Sequence, residues 1–138
     1  MIVTSDHGEG LGEHGEATHG AFAYESTLRV PLIVAQLPSG GTPTVSDRSV
    51  SHIDIFPTVL DALRVDVPDG MRGRSLLPDL DGAIVSESSP LVYFEAMTPM
   101  LTHGWAPLSG VISGRTKYID LPIEEVYDLA ADPREQNN

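Results

Sequence analysis

The chain has 138 residues and no cysteine, which excludes a disulfide framework and thiolate metal sites. Any metal bound here must use Asp, Glu and His, the donors of Ca, Mn, Mg and Zn-type chemistry. Basic residues are scarce: 8 Lys and Arg stand against 20 Asp and Glu, a formal net charge of −12. A field of that sign repels nucleic acid and anionic membrane surfaces, so neither is expected as a partner. A small anionic substrate then needs locally inverted charge, which a bound divalent cation supplies. No apolar run approaches the roughly 18 residues of a membrane-spanning helix. The first residues also lack the basic and apolar regions of a signal peptide. There is no P-loop, no dinucleotide fingerprint and no readable Ser-His-Asp arrangement.

What the chain does have is concentrated at its start. Ile2, Val3 and Thr4 form a β-branched run that reads as a buried strand, and it stops at Ser5-Asp6-His7-Gly8. In open α/β sheets chemistry gathers just beyond the carboxyl ends of strands, so an Asp-His pair there is a candidate metal or catalytic site. Three of the five histidines, His7, His14 and His19, fall within the first nineteen residues. Asp6 and His7 reach one cation together only if the backbone turns between them, which Gly8 permits. The competing reading makes Asp6 a helix cap and the histidines solvated loop residues. Two or three ligands do not complete a site, so further ligands are expected from outside this stretch. Functional residues at the extreme N-terminus lead to the expectation that a further segment precedes them.

Glu9, Glu13 and Glu16 line the same Gly-rich loop, as general bases, as partners that orient the histidines, or as a solvated face. Glu9 lies nearest the Asp-His pair. Arg29, Arg72, Arg74, Arg115 and Lys117 hold most of the positive charge. Guanidinium forks suit sulfate or phosphate oxygens, although surface pairing with the many carboxylates is the commoner use of any one of them. Trp105 either lines a substrate mouth or anchors packing.

At 41% hydrophobic the chain can bury one sizeable core. Residues 8–20 read as tight glycine-rich backbone rather than helix, and 21–29 can hold a short helix. Residues 30–35 read as a second buried strand of parallel type, and 37–47 as an exposed loop. Ile53, Phe56, Val59, Leu60 and Leu63 recur at helical spacing, with Pro57 in the first turn, and predict a core-facing helix. Residues 65–90 are loop-rich. Short strands are expected at 91–94, 110–113, 117–119 and 126–129, with Gly114-Arg115 joining the middle pair. The pattern predicts an α/β architecture, part of a large mixed sheet flanked by helices, followed by a small antiparallel subdomain. The boundary falls around 86–90, which separates 1–88 from 89–138.

Taken jointly, these motifs resemble a known family. Val3-Thr-Ser-Asp-His-Gly-Glu9, Leu11-Gly-Glu-His-Gly15, Thr18-His-Gly20 and Ser26-Thr-Leu-Arg-Val-Pro-Leu-Ile-Val34 look like the C-terminal half of a sulfatase of the alkaline phosphatase superfamily. Ser51 to Leu60, Gly70 to Pro78, Gly114 to Ile119 and Val126 to Asn137 continue the likeness in the family's own order. The resemblance implies an alkaline-phosphatase-like fold, with Asp6 and His7 as ligands of one divalent metal ion (Ca, Mn or Zn). It implies that His19, where the family places Lys or His, touches the transferred sulfuryl or phosphoryl oxygens. The family's Cys/Ser-x-Pro-x-Arg nucleophile motif does not occur in these 138 residues. Three functions follow as expectations. The first is the C-terminal fragment of a metal-dependent sulfuric ester hydrolase, inactive alone, acting on a small anionic ester. The second is a phosphoester or phosphonate hydrolase, or a phosphoethanolamine-type transferase, of the same superfamily. The third is a non-catalytic metal-binding module.

Overall fold

The structure is a computed structural model that describes residues 1–35, 43–80 and 90–138. Its described residues fall into two compact units, Met1–Gly41 with Tyr93–Asn138, and Thr42–Val92. Most of the expected 37–47 loop before Pro43, and the expected boundary up to Ser89, lie outside the described residues.

The first unit opens with β1 (Ile2–Thr4), then a tight turn at Glu13–Gly15, the short helix α1 (Glu25–Leu28) and β2 (Leu32–Val34). β1 and β2 pair antiparallel, with Ile2 opposite Val34 and Thr4 opposite Leu32. This corrects the expectation of parallel-type strands. A parallel pair needs a long crossover that carries the chain back to its starting edge. Here the intervening residues fold on themselves instead: Gly8 N donates to Thr27 O at 2.8 Å and Gly10 N to Thr18 O at 2.6 Å. The chain therefore re-enters beside β1 in the opposite direction. Nor are the strands buried on both faces, since Val3 is 47% and Ile33 55% exposed.

From Tyr93 onward the same unit contains a four-stranded sheet in the order β3 (Leu91–Ala96), β4 (Leu108–Ser113), β5 (Thr116–Asp120), β6 (Glu125–Asp128). β4–β5 and β5–β6 are antiparallel, as expected of the C-terminal pieces. Ser113 faces Thr116 across a two-residue turn in which Gly114 takes a positive φ. Alternation along β5 turns Lys117 and Ile119 inward. The core of Ala23, Phe94, Leu108, Ile119 and Tyr127 lies on that face. Gly110 is required there because a Cβ would overlap the Phe94 ring and the Tyr118 carbonyl oxygen. Lys117 is fully buried, with Nζ 2.5 Å from Glu135 Oε1 and 3.6 Å from Glu25 Oε1. Glu135 Oε2 also accepts from Glu25 N at 2.6 Å, so this cluster ties the C-terminal tail to α1 and β5. Helix α4 (Thr98–His103) follows β3, with Pro99 in its first turn and Gly104 in the left-handed region at its end.

The second unit is built on α2 (Ile55–Ala62), preceded by a 3-10 turn (His52–Asp54) that a capping box at Ser51 and Asp54 starts, and the short helix α3 (Leu77–Leu80). The helix lies where the spacing predicts, but the apolar stripe does not face a core. Ile53, Phe56 and Leu63 are 54%, 57% and 68% exposed, whereas Asp54, Pro57 and Thr58 are buried. Backbone demand selects that polar face. Asp54 Oδ1 accepts from Arg74 N at 2.9 Å, and Thr58 Oγ1 accepts from Leu76 N at 2.9 Å. Gly73 packs so tightly on Ile53 that a Cβ would overlap its carbonyl oxygen.

Candidate active site

The turn after β1 is organised by short-range polar contacts. Ser5 Oγ donates to His7 O at 2.7 Å, and His7 N donates to Asp6 Oδ1 at 3.1 Å. His7 Nδ1–H donates to the Gly8 carbonyl at 2.8 Å. That bond sets the neutral tautomer and leaves the Nε2 lone pair available, 3.7 Å from Asp6 Oδ2. Backbone hydrogen bonds, first from Asp6's own N–H and then from that of His7, hold the Asp6 carboxyl below the usual carboxylate range. A carboxylate oxygen and an imidazole nitrogen so placed suit a divalent cation of the Ca, Mn or Zn type as part of a larger ligand set. Among the described residues no group of three or more His, Asp or Glu converges as a metal cluster.

Gly8 fixes where this turn sits. Its N–H bonds to Thr27 O, and a Cβ would overlap the Ser26 carbonyl oxygen of α1. A Cβ at Gly10 would likewise overlap the carbonyl oxygens of Glu16 and Thr18. The loop that carries His19 is thereby laid against the loop that carries Asp6 and His7. The His7 and His19 rings stack with centroids 3.8 Å apart and 27° between planes. His19 Nδ1 is 3.3 Å from Glu9 Oε2 and 3.4 Å from Oε1. Asp6, His7, His19 and Glu9 thus form one continuous row. An open cavity of about 520 Å³ is lined by residues 5–9 together with Arg29, Val30 and Pro31.

The remaining candidates divide. His14 turns away: its Nε2–H donates to Arg134 O at 2.9 Å and its ring stacks on Tyr24 at 3.6 Å, so it braces the C-terminal tail. Glu16 is buried rather than solvated, and its carboxylate accepts from Ala21 N at 2.7 Å and Phe22 N at 3.1 Å. It holds the backbone just past His19, and nothing in a lone Glu on a Gly-rich loop signals this. Glu13 is exposed. Arg74 pairs with Asp79, and Arg115 with Asp128. Lys117 belongs to the core. Trp105 is 58% exposed beside His103.

The fold places the chain with the C-terminal portion of sulfatases of alkaline-phosphatase-like architecture. Residues 12–138 match the family described as N-sulphoglucosamine sulphohydrolase, C-terminal, and the chain belongs to that family. An N-acetylglucosamine-6-O-sulfatase of Bacteroides thetaiotaomicron is 33% identical over 144 residues, which take in 100% of this chain and 26% of the relative. Among solved structures, a 2-O GAG sulfatase superposes with a TM-score of 0.82 at 28% identity, over 99% of this chain and 30% of that one. A sulfatase in complex with its substrate D-glucosamine-2-N,6-O-disulfate gives 0.76 at 32% identity, over 99% and 29%. The phosphonate monoester hydrolase of Agrobacterium radiobacter gives 0.77 at 28% identity, over 99% and 30%. The chain therefore spans under a third of the length of these proteins and corresponds to their C-terminal portion.

Proposed function

We propose that this chain supplies the C-terminal part of a sulfate ester hydrolase site, acting on a small anionic ester of the sulfated-sugar class. The juxtaposition of Asp6 and His7 with the stacked His19 carries this reading. Asp6 and His7 Nε2 are the atoms that would hold the divalent metal, whose charge offsets that of the sulfate group and of a chain at −12. His19 donates to the non-bridging oxygens as charge develops on them. Arg29, on the rim of the same cavity, adds positive charge beside the two carboxylates. Residues 1–88 belong in this reading to the catalytic α/β domain and 89–138 to a small subdomain that closes it. The substrate class is supported by relatives that act on sulfated amino sugars.

A second reading, phosphonate or phosphate ester hydrolysis on the same scaffold, is favoured by one observation: the phosphonate monoester hydrolase superposes as well as the sulfatase bound to the disulfated glucosamine, 0.77 against 0.76. The test uses the product of the whole reading frame that contains residues 1–138, assayed with Mn, Ca and Zn. Turnover of glucosamine 6-sulfate above that of a phenylphosphonate monoester is expected. His19→Ala should lower that turnover by roughly 10²–10³, the usual loss on removing one charge-stabilising donor. Faster phosphonate cleavage transfers the assignment to the second reading.

A further inference from the structure

Glu9 is the one member of the row Asp6, His7, His19, Glu9 that the reading above leaves without a role. We infer that Glu9 is a positioning residue for His19: its carboxylate accepts a hydrogen bond from Nδ1–H and fixes the ring's rotation, with the Nε2 edge turned away from Glu9. The observations that carry this are geometric. Both carboxylate oxygens lie within 3.4 Å of Nδ1. Glu9 sits between two glycines whose N–H groups are pinned, Gly8 to Thr27 and Gly10 to Thr18. Its carboxylate therefore has a fixed base from which to reach the residue that follows Thr18. From the other side, Glu16 clamps Ala21 and Phe22, so the backbone carrying His19 is held at both ends. The His7 ring stacks on one face of His19, which leaves the two-fold χ2 flip exchanging Nδ1 with Cδ2, and the Glu9 carboxylate selects the flip that puts Nδ1 beside it.

The consequence is chemical as well as steric. An imidazole has two nitrogens, and the partner of one decides what the other presents. With Nδ1–H committed to Glu9, Nε2 is the ring nitrogen left to meet a ligand. Glu9 itself touches neither ester nor metal in this account. What His19 touches rests on the sulfatase reading, but the hydrogen bond from Nδ1 does not.

The experiment is long-range ¹H–¹⁵N correlation of ¹⁵N-labelled histidine rings in the product of the whole reading frame that contains residues 1–138, without metal, at a pH where the imidazoles are neutral. His19 should show its proton on Nδ1, the tautomer that free histidine disfavours. Glu9→Ala should move it to Nε2, with loss of the Nδ1–H signal. Glu9→Gln, whose amide oxygen still accepts, should retain the Nδ1–H form, and exposed Glu13→Ala should leave the spectrum unchanged. A wild-type His19 protonated on Nε2, or a tautomer unmoved by Glu9→Ala, overturns the proposal. The outcome is independent of the reaction. An Nδ1–H tautomer lost in Glu9→Ala stands even if the reading-frame product cleaves phosphonates rather than sulfates, and only the function assigned above then falls.

Discussion

At the residue scale, two buried or half-buried polar groups hold the first unit together, and each makes a measurable prediction. Tyr24 stacks on His14, and its hydroxyl donates to Glu125 Oε2 at 3.1 Å. Burial, reinforced by the Glu125 charge, pushes its phenol up to about 12, while an unfolded tyrosine titrates near 10. Below pH 10 both states keep the proton, so Tyr24 adds no pH dependence there. Above it the unfolded chain releases the proton first, and stability should fall from about pH 10 toward 12. Melting curves at pH 9 and 11 should show that loss, and Tyr24→Phe should shrink it. Lys117 is the second group. Lys117→Ala leaves Glu135 buried without its cation, at a cost of about 3–5 kcal/mol. The double change Lys117→Met with Glu135→Gln should recover part of this, because Gln still accepts from Glu25 N. Denaturant midpoints of the three proteins decide it. Asp6, His7 and His19 were legible as candidates because the signal is contiguous. The fate of His14 was not, since its partner Arg134 lies 120 residues away.

At the element scale, the Asp6-His7 turn depends on glycines where another backbone approaches closely. Gly8→Ala would drive a Cβ into the Ser26 carbonyl oxygen, so α1 or the Asp6-His7 turn must move. A cost of about 1–3 kcal/mol is expected, typical of forced overpacking, together with weaker metal binding. Thermal melting combined with metal titration measures both. A variant that melts lower but binds metal as before would separate the packing from the site. The existence of most strands was legible from β-branched runs and turn residues. Their direction was not, because two three-residue strands carry the same periodicity in either orientation, and the hydrogen bonds of residues 8–27 decide it. Helix α2 was legible in position but not in which face it buries. Hydrophobic spacing registers apolar side chains and says nothing of the Arg74 and Leu76 amides that need Asp54 and Thr58. Helix α4 carries its Pro and Gly punctuation in sequence, but six residues are too few for a periodicity signal.

At the scale of the whole molecule, the exposed apolar side chains matter most. Ile53, Phe56 and Leu63 on and around α2, and Val3 and Ile33 on the two-stranded sheet, stand open in the chain described here. The isolated 138-residue chain should therefore self-associate despite its charge of −12, and Phe56→Glu with Leu63→Glu should reduce light scattering without changing metal affinity. Sulfatase membership was legible because the motifs follow one another in order along nearly the whole chain. The central claim is that Asp6 and His7 bind the metal while His19 serves the ester. Calorimetric titration of Mn²⁺ into the wild type, His7→Ala and His19→Ala tests it most directly. His7→Ala should abolish the binding heat, and His19→Ala should leave it near the wild-type value. Equal loss in both variants would contradict the account, because it would make His19 a metal ligand and the site that of a different hydrolase.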